Sequence, residues 1–276
     1  MILRLALLTV LMLGRAVPAA QGDEPPRIAA PFLESAPLID ADLAEWKALA
    51  FTDGIWDIHR LKHTSWFRPQ ANRLTDHGDE PTPGEDLQAR YYLAWDEKYL
   101  YLGAEVQDNV NDVHDPKPEA NRWYFMDCVA WFIEAPRDTT NERFGQGDHA
   151  FCFVIDARMP AYGAWWRYGT PDLNYQEESL PAEAVDYQIR MDPWGRGLGD
   201  FILEARVDMG LTLGQTDPDW KPLQIGDTYS VEIVHTDPDG GNYGGHFILY
   251  GTGDDDATWG EMTLTGPLKP LKRLER

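Results

Sequence analysis

Basic residues are scarce in this chain: 24 lysines and arginines stand against 46 aspartates and glutamates, for a formal net charge of −22. A surface this acidic repels nucleic acid and anionic membranes, so neither is expected as a partner. Cysteine is nearly missing. The two present, Cys128 and Cys152, allow one disulfide or two buried thiols and have no zinc-ligand spacing. Helix signals are sparse, and residues 42–50 (DLAEWKALA), capped by Asp40 or Asp42, predict a single short helix. The chain has no H-E-x-x-H, no G-x-S-x-G, no Gly-rich phosphate loop opening a helix and no C-x-x-C-H, which removes the usual signatures of zinc proteases, serine hydrolases, nucleotide enzymes and c-type haem.

Long apolar runs are confined to the start. Residues 5–13 (LALLTVLML) follow Arg4, are too short to span a bilayer, and are followed by Val17, Pro18, Ala19 and Ala20. A basic start, an apolar stretch and small residues predict a signal peptide over 1–20, cut near Ala19 or Ala20, and therefore a secreted or periplasmic protein. Residues 21–36 read as a Pro-containing leader, 37–267 as one domain and 268–276 as a solvated basic tail.

What the chain has in quantity is strand pattern and aromatic side chains. Residues 89–95 place Tyr91, Leu93 and Trp95 on one face, and 99–106 do the same with Leu100, Leu102, Ala104 and Val106. Asp96, Glu97 and Lys98 between them complete a hairpin with a three-residue loop. Residues 127–134 and 149–156 are apolar on both faces, as inner strands are. Residues 201–207, 229–235, 246–250 and 259–264 continue the series. Segments 52–86 and 157–200 read as two long irregular loops. The expected fold is all-β: an antiparallel two-sheet β-sandwich, jelly-roll-like, with long loops and few short helices. A closed barrel is the second architecture.

The order of these segments resembles the family 9 carbohydrate-binding modules and, more broadly, the β-sandwich superfamily that includes DOMON domains. Residues 39–46 (IDADLAEW) look like the opening I-D-G-x-x-x-E-W element, with Ala41 in place of Gly. Residues 94–101 followed by Glu105, Val106, Gln107 and Asp108 are similar to the D-x-x-x-L-Y…V-x-D hairpin. Residues 127–130 (DCVA) sit where the family has D-S-V-E, and 237–241 through 259–264 resemble the closing element. The likeness runs from about residue 38 to 266. It implies a non-catalytic carbohydrate binder associated with poly- or oligosaccharide breakdown, working beside extracellular glycan-degrading enzymes. Two positions depart from it: Ala130 replaces an acid that helps hold sugar, and Tyr250 stands where Trp is common.

Eleven tryptophans exceed what a core of this size needs. Aromatic rings bind sugars by stacking on their C–H faces, while planar polar groups read the hydroxyls. By the resemblance, Trp123, Tyr124 and Tyr250 are the binding candidates, with Trp165 and Trp166 behind them. Trp123→Ala is expected to weaken sugar binding by about 1–3 kcal/mol without unfolding the domain. Trp56, Trp66, Trp194 and Trp220 also fall in loop-like segments. Asp108, Asp237 and Asp239, at strand ends and turns, are candidate ligands for a structural calcium ion. Two other functions are open: a glycan-active hydrolase or lyase with a carboxylate pair, and a haem-binding DOMON-like domain using Met126, His149 or Met159.

Overall fold

The computed structural model describes residues 26–56, 87–111, 123, 126–138, 145–156, 163–172, 174–197, 199–237, 246–251 and 255–268. Thirteen strands fall within them: β1 Arg27–Pro31, β2 Phe51–Ile55, β3 Leu87–Trp95, β4 Tyr99–Asp108, β5 Cys128–Glu134, β6 Asp148–Val154, β7 Ala164–Thr170, β8 Asn174–Ser179, β9 Val185–Met191, β10 Phe201–Asp208, β11 Thr228–Thr236, β12 His246–Ile248 and β13 Gly260–Thr265. They form two sheets. One runs β1-β13-β11-β5-β6-β7-β8, with β12 also on β11; the other runs β2-β3-β4-β10-β9. All strand pairings are antiparallel except β1 with β13.

The sandwich follows from period-two alternation. Leu87, Ala89, Tyr91, Leu93 and Trp95 of β3 face Val129, Trp131 and Ile133 of β5 and Phe151 and Phe153 of β6 in one continuous core. The β3–β4 hairpin has the predicted register, with Trp95 opposite Leu100. Its turn is tied by Asp96, whose Oδ1 accepts from the Lys98 and Tyr99 N–H groups at 2.7 Å each. Burying these side chains is worth roughly 1.5–3 kcal/mol apiece and supplies most of the driving force.

Three expectations change. Segment 157–200, read as irregular, contains β7, β8 and β9, and the start of segment 52–86, read the same way, belongs to β2. The leader contains β1, so the sandwich begins by Arg27. The helix expected over 42–50 is instead two 3-10 turns, Leu43–Glu45 and Lys47–Leu49, the first capped by Asp42 accepting from Ala44 N–H at 3.1 Å. The reason is one buried carboxylate. Glu204 of β10 takes the N–H groups of Asp40 (2.9 Å) and Ala41 (2.8 Å) on Oε2 and the Trp46 indole N–H (2.7 Å) on Oε1. Drawing both ends of the segment to one acceptor flattens it against the sheet. Ala41 is held at φ 61°, in the left-handed region. A non-glycine residue pays about 1–2 kcal/mol there, which explains the glycine in the motif this segment resembles.

The same segment packs on the outer face of the five-stranded sheet, over Tyr92, Ala94, Tyr101 and Ile202. Leu43 and Trp46 lie so close over Gly103 that a Cβ there would meet them at 3.1–3.2 Å. Among the described residues, no helix is long and apolar enough to cross a membrane.

Candidate functional site

The outer face of the eight-stranded sheet carries a second apolar layer. Cys128, Ala130 and Phe132 of β5, Ala150, Cys152 and Val154 of β6, and Val234 of β11 form its floor, and Trp123, Ile248 and Trp259 pack on it. Both cysteines are buried thiols, and burial pushes their titration up.

At the β7–β8 edge this layer becomes polar and aromatic. Arg167 of β7 stands directly opposite Glu177 of β8. Its guanidinium bonds Glu177 Oε1 through Nε (2.7 Å) and pairs with it through a terminal nitrogen (2.5 Å). That guanidinium lies 5.5 Å from the Trp123 ring and 4.3 Å from the Tyr175 ring, so two aromatics flank one cation. The Trp123 indole N–H reaches the same Glu177 oxygen at 3.4 Å. Tyr175 is 45% exposed. Trp165 shares the Arg167 face of β7 and packs partly buried on the layer below, opposite Cys152. An exposed ring, a half-buried ring, a guanidinium and a carboxylate are thus held together by cross-strand pairing. Such a group can stack on a sugar face and bond its hydroxyls.

The structure sorts the sequence candidates. Trp123 and Trp165 join this patch. Trp166, the neighbour of Trp165, necessarily points to the other face. It is 1% exposed in the main core, with its indole N–H on His149 Nδ1 at 3.1 Å, so it presents no ring to solvent. Tyr250 packs against the main core, its N–H on Glu232. Tyr124 lies outside the described residues. Trp123 is only 4% exposed. Truncating it therefore opens a cavity as well as removing a ring, contrary to the expectation of a purely local loss. Arg167, Tyr175 and Glu177 were missed. The signal that finds them is the β7–β8 pairing itself, which puts an arginine across from a glutamate.

The calcium candidates also separate. Asp108 at the end of β4 and Asp237 after β11 come together with Asp127, which precedes β5. One carboxylate oxygen of each lies within 4.8 Å of the others, and all three residues are buried. Asp239 lies outside the described residues. The Asn111 amide orients Asp127 by donating to its Oδ2 at 2.8 Å and to Ile155 O at 2.9 Å. Three buried carboxylates this close repel one another unless a cation or protons join them, and an all-oxygen donor set suits calcium. β4 belongs to one sheet, β5 and β11 to the other, so the triad spans the end of the sandwich.

A second acidic group gathers where β5 ends. Glu134, Asp138 and Asp256 converge, with Asp148 close by. Burial raises Asp148 to about 8 and Asp256 to about 7. His149 is stacked with Phe151 and Trp166 and held near 3 by burial. It faces the main core, whereas Met126 lies in the outer layer across the sheet, so these two cannot serve as one pair of haem ligands. Met159 lies outside the described residues.

A two-sheet sandwich that carries an aromatic and guanidinium patch on a sheet face has the form of a ligand-binding module. The sequence profile described as "Carbohydrate family 9 binding domain-like" matches residues 63–267. The chain belongs to this family. A family 9 carbohydrate-binding module from Caldicellulosiruptor kristjanssonii, solved with cellotriose, superimposes with a TM-score of 0.52 at 17% identity, covering 91% of this chain and 100% of that one. The structure solved with glucose gives 0.51 at 17% identity, covering 89% and 99%. A putative carbohydrate-binding protein from Bacteroides uniformis gives 0.56 at 11% identity, covering 87% and 99%. No curated protein sequence matches the chain.

Proposed function

We propose that this protein is an exported, non-catalytic carbohydrate-binding domain that serves poly- or oligosaccharide breakdown by holding substrate for glycan-degrading enzymes. The observation that supports it most is the Trp123–Arg167–Tyr175 stack, paired to Glu177, on the sheet face of a family 9 domain. Tyr175 and Trp165 provide the stacking surface. Arg167 and Glu177 provide hydroxyl partners.

Isothermal titration with cellotriose and glucose, the ligands of the two Caldicellulosiruptor complexes, followed by a glycan array, tests the reading. Binding to at least one glycan, lost in Tyr175→Ala, is expected. No binding to any soluble or insoluble glycan overturns it. Export is tested by mass spectrometry of the protein recovered from the producing cells, with an N-terminus after Ala19 or Ala20 expected. Calcium is proposed at Asp108, Asp127 and Asp237, where it would tie the ends of β4, β5 and β11 into one rigid corner.

A further inference from the structure

The second of the 3-10 turns that cover the five-stranded sheet begins at Lys47, whose ammonium reaches Glu105 of β4 at 2.6 Å. Among the described residues, nothing but the turn that carries Trp194 covers the outer face at Gln88, Arg90 and Gln107. Gln88 and Arg90 of β3 stand directly across from Gln107 and Glu105 of β4, so four planar polar groups form a strip two strands, or about 10 Å, wide. With Trp194 over them, these residues line a cleft of about 230 Å³.

Trp194 is 43% exposed, yet its backbone is not loose. It sits in the β9–β10 turn, where Asp192, Gly195 and Gly197 all take positive φ. Asp192 O accepts from Gly195 N–H at 3.1 Å, and Asp192 Oδ1 accepts from Gly197 N–H at 3.0 Å. Arg196 then fastens the turn to the cleft wall, through Nε to the buried Asp200 at 3.2 Å and through a terminal nitrogen to Gln107 Oε1 at 3.0 Å. On the other side of the strip is Trp56, 48% exposed at the end of β2. A Cβ on Gly54 would meet the Trp56 ring and the Arg90 Cα at 3.1 Å each, so the ring lies on the same face beside Arg90.

A fixed, exposed indole over a floor of two amides, a guanidinium and a carboxylate is poorly suited to an apolar partner, because those polar groups would lose water without replacement. A pyranose ring supplies what they need: a C–H face for the indole and a rim of hydroxyls that both donate and accept. We propose that this cleft under Trp194, with Trp56 on the same face beside Arg90, is a second carbohydrate-binding site on the sandwich face opposite the Trp123–Arg167–Tyr175 patch. The class of ligand rests on the function proposed above; the location rests on the cleft alone. Two sites on opposite faces allow one domain to bridge two glycan chains, or to grip one flexible chain twice with an avidity above that of either site.

The test titrates the whole protein with cellotriose and with soluble gluco-, xylo- and manno-oligosaccharides. Wild type, Trp194→Ala, Trp194→Phe and Tyr175→Ala are compared, with urea unfolding midpoints as the control for folding. Two equivalents of ligand are expected for wild type and one for Trp194→Ala, with at least a tenfold weaker grip on insoluble polysaccharide, an unchanged midpoint and recovery in Trp194→Phe. A single equivalent that Tyr175→Ala abolishes and Trp194→Ala leaves intact overturns the second site and keeps the first. A single equivalent with the opposite dependence makes the cleft the main site and removes the patch. Absence of binding to every probe overturns both.

Discussion

Replacing Arg167 with methionine keeps an unbranched side chain of similar reach and removes the cation at the centre of the candidate patch. Glu177 then loses its partner while staying mostly covered, since the side chains of the pair are only 11% and 13% exposed. Stranding one member of a fully buried pair costs about 3–5 kcal/mol, and the partial exposure here places the loss at the low end or below, about 2–3 kcal/mol. The two cation–ring contacts add about 0.5–1 kcal/mol each. The expected total is about 3–5 kcal/mol, or a fall in Tm of roughly 6–20 °C for a domain of this size. Urea unfolding followed by tryptophan fluorescence measures it. The double variant Arg167→Met/Glu177→Gln should recover at least half of the loss, because the stranded carboxylate is gone. Sugar affinity should stay low in both, because Trp123 and Tyr175 no longer have a common spacer. A loss below about 0.5 kcal/mol in the single variant, or no recovery in the double, would refute the idea that this ion pair organises the patch.

Calcium at one hundred times its dissociation constant should stabilise the protein by about 2.7 kcal/mol, read as a Tm rise of roughly 5–10 °C that EDTA reverses and Asp127→Asn abolishes; a Tm indifferent to calcium and EDTA removes the Asp108–Asp127–Asp237 site. Stability should peak on the acidic side of neutrality. Glu232 and Asp148, both raised to about 8 by burial, contribute stability that is complete below their unfolded values near 4 and is lost as pH rises through 8. His149, held near 3 by burial, contributes stability that is complete above about 6.5 and is lost as pH falls toward 3. Urea midpoints from pH 3 to 10 check this, and a maximum above pH 8 contradicts it. Glu204→Gln should cost about 2 kcal/mol or more and speed proteolysis within 38–50, because one amide oxygen cannot serve three buried donors; unchanged stability means that the segment is held by its apolar contacts alone.

The β3–β4 hairpin, the inner strands β5 and β6, and β10 were legible because each buries a face and writes period-two alternation into the sequence. β8 was not. Its residues, NYQEES, are polar and almost all exposed at a sheet edge, so no apolar period marks it as a strand. β9 does alternate, with Val185, Tyr187, Ile189 and Met191 packed on the core, but the charged and polar residues between them, Asp186, Gln188 and Arg190, dilute the pattern. Site residues were harder for a related reason. Composition announces a surplus of tryptophan but not which face each ring takes. Trp165 and Trp166 were indistinguishable until a strand assigned them to opposite sides. Asp108 and Asp237, by contrast, were paired from strand-end position alone, and the structure does bring them together, with Asp127 beside them through the pairing of β5 with β11.

The parallel pairing of β1 with β13 has a mechanical consequence. The chain enters the domain at Arg27, opposite Glu261, and leaves it past Thr265, opposite Pro31. Tension applied through the two ends therefore pulls these neighbouring strands past each other along their length. Their hydrogen bonds are loaded together, not opened one after another from an end. The Trp95 indole N–H strengthens the same seam, shared between Ala30 O at 3.0 Å and Thr265 O at 3.2 Å. A domain clamped in this way resists extension from its ends, because the seam must yield all at once.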